Sequence, residues 1–395
     1  MPIRARLGSA RIDRAAVSVS EGAIISEQFD ICVIGGGMAG LSVSAGLAAR
    51  HRVVLLEREP HFAYHSTGRS AALFAESYGN GPIRALTRAS REFFFRDSAE
   101  APFTQPREAM FVAAAGQTES LSALHAELSP ASSAIRILDS AAARERCPIL
   151  RASTVEAALL DPDARDIDVA RVVDFYARAF KSRGGEQRRG EPVAALERDG
   201  GGWRVRTESR ELRALIVIDA AGAWADSIAL AAGVAPVRLE PCRRTAVRVS
   251  TGSWDAARWP MVIDSEEQWY FRADAGALML SPADETPSEP CDAQPDDYDV
   301  ALAIERVEAA TTLVVDRPLS SWAGLRTFAA DRTPVVGFDA AVPGFFWLAG
   351  QGGYGIQAAP ALAELAVALI EERPVPAELA EHGVDAAALS PQRLR

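Results

Sequence analysis

The chain has 395 residues, 48% of them apolar and 24% charged, and a formal net charge of −11. That length exceeds one ordinary hydrophobic core and predicts two interleaved domains. The acidic balance argues against a duplex nucleic-acid binder, which needs a positive surface, and no window approaches the roughly 20 apolar residues of a membrane-spanning helix. Residues 1–28 are polar, contain Arg4, Arg6, Arg11 and Arg14, and lack the apolar stretch of a secretory signal, so a flexible leader is expected. The first strong element is the apolar run Phe29–Ile34, which reads as a buried parallel strand. Glycines follow, then a small-residue helix over Ala39–Arg50, a second strand Val53–Leu56, and Glu57 at its end. Strand, glycine turn, helix and strand in this order form a βαβ crossover.

Residues 82–98 predict a helix, and Val169–Lys181 another that ends at Gly184 and Gly185. Val193–Leu196, Trp203–Thr207 and Leu212–Ile218 predict strands. The alternating stretch Thr245–Leu280, rich in Trp and aromatic residues, predicts an antiparallel sheet, and the Pro- and Asp-rich Ser281–Asp299 a loop. Phe345–Ala349 predicts a strand, Gly350–Gly355 a glycine turn, and Ala358–Ile370 a helix. The fold class is therefore α/β, an α+β arrangement overall. A Rossmann-type dinucleotide-binding domain (residues 29–100, 162–240 and 327–395) is interrupted by a mainly antiparallel substrate-binding domain (residues 101–161 and 241–326).

The turn Gly35-Gly36-Gly37-Met38-Ala39-Gly40 is a GxGxxG. Gly35 permits the tight turn, Gly37 lets backbone approach a diphosphate, and Gly40 lets helix pack on strand; Met38 and Ala39 open the helix whose N–H groups and dipole favour the anion. Glu57 suits the ribose hydroxyls and would repel a 2′-phosphate, which disfavours NADP. The hydroxyl-rich His65-Ser66-Thr67-Gly68-Arg69-Ser70 offers a second pass over a diphosphate and ribityl chain, which NAD does not require. A second glycine turn before a helix, Gly350-Gln351-Gly352-Gly353, supplies another positive helix start for an electron-rich ring edge. The two together favour FAD. The four cysteines are scattered and include no CxxC pair, and the five histidines show no ligand spacing, so no metal is expected.

These residues, with Asp219–Trp224, Trp322–Arg326 and Gly350–Gln357, resemble the D-amino-acid oxidase and glycine oxidase family of FAD-dependent oxidoreductases. The longest likeness is to its D-arginine dehydrogenases, over Tyr64–Ala72 and Gln351–Gln357. The resemblance implies hydride transfer from the α-carbon of a D-amino acid to flavin N5, giving an imino acid and then a 2-oxo acid and ammonia. It assigns Arg326 to the substrate carboxylate, with Arg244 (or its neighbour Arg243) as a second cation, Tyr270 as a further carboxylate ligand and Tyr78 on a loop over the site. It gives Gly353 to the substrate amine and places Arg58, the main chain of Val193, Ala221, Gly222, Trp224, Tyr354, Gly355, Ile356 and Gln357 around the cofactor. No cysteine stands where sarcosine oxidase links its flavin, the stretch reading Arg326-Thr327-Phe328, so FAD is expected to be noncovalent.

Substrate choice is less determined. Leu73 and Ala75 replace polar residues of the D-arginine dehydrogenases, and in Arg107-Glu108-Ala109-Met110 the glutamate that would bind a guanidinium is one position early. Either a bulge returns Glu108 to the pocket or that carboxylate is absent, with Glu76 as a substitute. Arginine and an apolar side chain both stay open. The alternatives to a D-amino-acid enzyme are a secondary-amine oxidase of the sarcosine or glycine oxidase type and a flavoprotein subunit without turnover. The electron acceptor (quinone, carrier or oxygen) is unread, and a cytoplasmic protein is expected, with peripheral contact to a membrane left open.

Overall fold

The computed structural model describes residues 27–96, 102–129 and 134–395. Most of the expected leader lies outside the described residues, but Glu27 and Gln28 already belong to the first strand, Glu27–Ile34. That strand pairs in parallel with Val53–Glu57 on one side and Glu211–Asp219 on the other. The helix Met38–Leu47, with eight of its ten residues buried, connects Glu27–Ile34 to Val53–Glu57. It is hemmed in on several sides by Ala359–Ile370 and Val169–Ser182 and by the sheet beneath. Its mixture of Gly, Ala and Ser follows from that, because close approach from several sides leaves no room for bulk.

The first sheet has eight strands, in the order Val193–Asp199, Gly202–Thr207, Glu211–Asp219, Glu27–Ile34, Val53–Glu57, Glu186–Arg189, with Phe345–Ala349 on the free half of Glu211–Asp219 and Val335–Phe338 beside it. The parallel strands end together, so their carboxyl ends, and the loops that follow, open on one crevice. The second sheet has nine strands, from Thr286–Pro287 through Glu240–Val249, Ala277–Ser281, Tyr270–Asp274, Met261–Asp264, Ala109–Ala113 and Ala157–Asp161 to Arg136–Asp139, with Ser320–Phe328 paired to Glu240–Val249. It is mainly antiparallel; Met261–Asp264 runs parallel to Ala109–Ala113.

Period-two alternation divides this nine-stranded sheet into two faces. Val247, Val262, Phe271, Leu278 and Leu280 point to one core, while Ala246, Ile263, Tyr270 and Met279 point to the other. Helix Asp297–Ala310 covers the face of Val247 and Phe271, and the face of Tyr270 and Met279 borders the crevice.

Two sequence expectations are corrected. The helix over 82–98 is two helices, Gly81–Ala89 and Arg91–Phe95, broken at Ser90. The Ser90 hydroxyl donates to the Leu86 carbonyl and accepts from the Ala361 amide, so the break serves a tertiary contact. The loop Ser281–Asp299 contains the short strand Thr286–Pro287 and the start of helix Asp297–Ala310. Among the described residues no helix is long and apolar enough to cross a membrane.

Candidate active site

The glycine turn shows why each position is glycine. Gly35 has φ +106°, and a Cβ there would sit 2.4 Å from the Ala220 carbonyl oxygen; a Cβ on Gly40 would sit 1.9 Å from that of Gly35. Gly37 differs: its Cβ would meet only the Thr67 hydroxyl, at 3.5 Å, and otherwise open space. The helix begins at once with no side-chain cap, and the Met38 N–H donates to Thr67 Oγ1 at 3.1 Å. Gly37, Met38 and Ala39 line the cavity with Thr67 above them, a cradle suited to a diphosphate. The buried Glu57 carboxylate accepts from the Gly36 amide at 2.6 Å and the Glu59 amide at 2.8 Å. Those bonds fix its orientation toward the cavity it lines.

At this same end Arg58 lies 5.0 Å over the Trp224 ring, and His65 packs on that ring at 4.7 Å while its Nε2 is 3.0 Å from Glu59. The strand pairing slips between Val193 and Ala195, which frees main-chain groups beside the cavity that Val193 lines. Ala221 and the left-handed Gly222 close the wall. Ser66 donates to the Leu325 carbonyl at 2.5 Å, and Ser70 accepts from the Ala72 amide. Arg69 lines the cavity and is also tied to its neighbours. Its guanidinium donates to the carbonyls of Tyr64, Ala293 and Ala323 and pairs with Asp292, so it ties this loop to the nine-stranded sheet.

The other end is cationic. Arg326 and Arg244 stand on paired strands, Arg244 opposite Gly324 and Arg326 opposite Cys242, so both side chains share the crevice face. Arg243 takes the opposite face and bonds Asp299 at 2.8 Å, which decides between the two neighbours in favour of Arg244. Arg244 is already partnered: it donates to the Asp284 carbonyl at 2.8 Å and to Glu285 at 3.0 Å. Arg326 donates to the Tyr78 hydroxyl at 3.3 Å and has no ion pair among the described residues. Burial opposes the Arg326 charge, yet the surrounding Tyr78, Tyr270 and Tyr354 hold its pKa above the ordinary value. Burial likewise pushes the Tyr270 phenol up, but Arg326 and Arg244, with bonds to Ser281 and Arg244, outweigh it and the pKa falls below the usual 10.0. The Gly353 backbone passes close to this group: a Cβ there would lie 2.8 Å from Arg326 Cζ.

The Gly350–Gly355 turn bends at Gly350 (φ +67°) and Gly352 (φ +53°), the latter packed against Phe328. Gly350, Gly352, Gly353, Gly355 and Ile356 line the cavity. Tyr354 is not among the cavity-lining residues and packs its ring on that of Tyr78, centroids 4.8 Å apart and tilted by 56°. Gln357 accepts from the Ala75 amide and donates to Thr87, so its carboxamide joins three segments rather than standing free. Thr327 and Gln351, neither chosen from the sequence as a site residue, line the cavity, and each carries a buried side-chain polar atom, Oγ1 and Nε2, without a hydrogen-bond partner among the described residues.

One elongated cavity of about 430 Å³ therefore runs from Glu57 and Arg58 to Arg244, Tyr270 and Arg326. A side branch of about 40 Å³ opens at the cationic end, walled by Leu73, Ala75, Phe111, Met261 and Ile263. Phe111, Met261 and Ile263 escaped sequence reading, although the continuous apolar run Met261-Val262-Ile263 carried the signal of a strand buried on both faces. The cradle at Gly37, the fixed Glu57, and the unpartnered Thr327 and Gln351 atoms far from them fit an extended dinucleotide with a polar ring at its distal end. Among the described residues no cluster of three or more His, Cys, Asp or Glu could hold a metal.

A dinucleotide crevice at the strand ends joined to a cationic substrate face defines a flavin-dependent oxidoreductase. Residues 30–369 match the DAO family, described as FAD dependent oxidoreductase, and the chain belongs to that family. It is similar to "FAD-dependent oxidoreductase domain-containing protein 1" of Xenopus laevis, 28% identical over 41% of this chain and 36% of that protein. It is also similar to the "tRNA 5-methylaminomethyl-2-thiouridine biosynthesis bifunctional protein MnmC" of Caulobacter sp. (strain K31), 25% identical over 88% of this chain and 55% of that protein. The chain thus spans about a third to about half of the length of these curated relatives. L-proline dehydrogenase from P. horikoshii shares its fold, with a TM-score of 0.80 at 21% identity over 93% of this chain and 98% of that one. Glycine oxidase from Geobacillus kaustophilus does so with a TM-score of 0.78 at 19% identity, over 91% and 99%.

Proposed function

We propose that this FAD-dependent enzyme oxidises a D-amino acid to its imino acid, which water then hydrolyses to a 2-oxo acid and ammonia. The observation that carries the reading is Arg326, a cavity-facing guanidinium enclosed by phenols and without an ion-pair partner among the described residues. A buried charge without a counterion is strongly unfavourable, and a substrate carboxylate supplies the missing partner in bidentate geometry. Tyr270 and Tyr78 present hydroxyls to the same carboxylate, while Arg244, held by Glu285, contributes field more than direct contact. Two guanidinium groups at the site disfavour a protonated amine there, so the substrate nitrogen is held neutral, with its lone pair free to expel the α-hydrogen. Bound flavin supplies the hydride acceptor. The protein orients the Cα–H bond toward it and positions the carboxylate. No cysteine lines the cavity, in keeping with a noncovalent cofactor.

The D configuration is supported by the likeness in Tyr64–Ala72 and Gln351–Gln357. The fold shared with L-proline dehydrogenase and glycine oxidase supports a second reading, oxidation of a secondary amine or of glycine. Anaerobic bleaching of the bound flavin by D-amino acids, L-amino acids and N-methylglycine separates these. Bleaching by the D series is expected. Arg326→Ala should weaken carboxylate binding by about 100-fold, as loss of one partner of a buried charge pair does, and leave flavin content unchanged. Retained carboxylate affinity, or loss of the flavin, would show that Arg326 has another task.

A further inference from the structure

The geometry points to a substrate whose side chain is compact and apolar, between those of alanine and leucine, seated against Leu73, Ala75, Phe111, Met261 and Ile263. This rests on the amino-acid reading above and names the class of amino acid.

Position comes first. The side branch shares Arg244, Tyr270, Arg326 and Gly353 with the main cavity, so it begins where the carboxylate and amine are held. A group projecting from the substrate's α-carbon enters it directly. Size follows. On the scale where one water needs about 10–15 Å³, a branch of about 40 Å³ takes roughly three non-hydrogen atoms. Side chains from one carbon to four match, whereas an arginine side chain does not.

Charge decides against a cationic head. The acid that a guanidinium would need is engaged elsewhere at each place the sequence offered one. Glu108 pairs with Arg146 and does not line the branch. The strand beside it, Ala109–Ala113, pairs in unbroken register with Ala157–Asp161, so no bulge brings Glu108 round. Glu76 pairs with Arg91 at 2.6 Å. The one acid among the branch's lining residues is Glu267, exposed on the turn between Met261–Asp264 and Tyr270–Asp274, where its charge acts on the Tyr354 hydroxyl. A lysine or arginine side chain would have to lose its hydration among the apolar walls of Leu73, Ala75, Phe111, Met261 and Ile263, and the branch is too small to carry its length through to the exposed Glu267. Each methylene buried there, in contrast, gains about fourfold in binding until the branch is full.

The test is anaerobic flavin reduction with glycine, D-alanine, D-2-aminobutyrate, D-valine, D-leucine, D-phenylalanine, D-lysine and D-arginine. The second-order rate constant should climb from glycine to a four- or five-carbon amino acid and fall at D-phenylalanine. D-lysine and D-arginine should lie at least 100-fold below the peak. If either cationic substrate equals the best apolar one, the inference is overturned while the amino-acid reading stands; if no amino acid bleaches the flavin, both fail. Leu73→Ala enlarges a half-buried wall without emptying the core, and should move the peak toward D-leucine and D-phenylalanine by about tenfold relative to D-alanine. An unchanged profile in that variant, with flavin content and melting temperature intact, would overturn the assignment of these walls. Ala75→Val, narrowing the branch, should shift the peak the other way.

Discussion

At the scale of single residues the site turns on one phenol between two guanidinium groups. Burial alone would raise the pKa of Tyr270, and Arg326 and Arg244 reverse the direction. The sign follows: below the lowered pKa the hydroxyl donates to a carboxylate ligand, and above it the phenolate repels that ligand and competes for Arg326. Affinity for a carboxylate should therefore fall with rising pH before the ordinary tyrosine value of 10.0 is reached. D-lactate is the suitable probe, since it has no amine to titrate over the same range. Its dissociation constant, followed by perturbation of the flavin spectrum, should rise at alkaline pH in the parent protein and stay level in Tyr270→Phe. A pH profile identical in the two would mean that the phenol does not touch the ligand. Legibility at this scale was uneven. Arg326, Arg244 and Tyr270 do converge on one end of the cavity, because strand parity fixes which face each takes, and Gly353 joins them from the glycine turn. Arg69 and Gln357 were less legible, since the same residue types that reach a cofactor also clamp loops, and only the observed partners separate the two duties.

At the scale of elements, the glycine turn separates two functions that a motif reading merges. Gly40 is held by packing: a methyl group there overlaps the Gly35 carbonyl at 1.9 Å and must push the helix from its strand. Gly37 is held by open space. Gly40→Ala should cost about 3 kcal/mol or more of stability even in cofactor-free protein, as overpacking of a tight contact does. Gly37→Ala should leave the cofactor-free melting temperature within a few degrees of the parent and reduce FAD affinity by about tenfold or more. Melting curves of deflavinated samples beside flavin titrations check both; equal destabilisation by the two changes would refute the division. The motif was readable because its strand, turn and helix are contiguous. Helix Asp297–Ala310 was not, since its inward face carries the buried Asp299, whose charge breaks the apolar period and makes sense only with Arg243, fifty-six residues earlier, bonded to it. The break at Ser90 was hidden for the same reason, its partner being Ala361.

At the scale of the whole molecule, the two sheets meet across the cavity, and protein contacts between them there are few but specific. Ser66 reaches the Leu325 carbonyl, Arg69 reaches the Ala323 carbonyl and Asp292, and the Trp322 indole donates to the Arg69 carbonyl. These involve the loop that also forms the roof over the glycine turn through Thr67, and a second link is made where the Gly352 amide donates to the Thr327 carbonyl at 2.8 Å. A cofactor lying along this cavity touches both sheets at once, so its binding free energy adds to the stability of the junction between them. A ligand present at 1,000 times its dissociation constant contributes about 4 kcal/mol, and its removal takes that away. Deflavinated protein should accordingly melt several degrees lower, with the loss concentrated at the junction. Hydrogen exchange should quicken at the amides of residues 64–72, 222–224 and 350–356 and change little in the Tyr270–Asp274 and Ala277–Ser281 strands, which are held by their own sheet. Restoring FAD should reverse the pattern. Uniform loosening across both sheets would show instead that the cofactor is required for the fold itself, and exchange unchanged at the loops would place the cofactor away from this cavity.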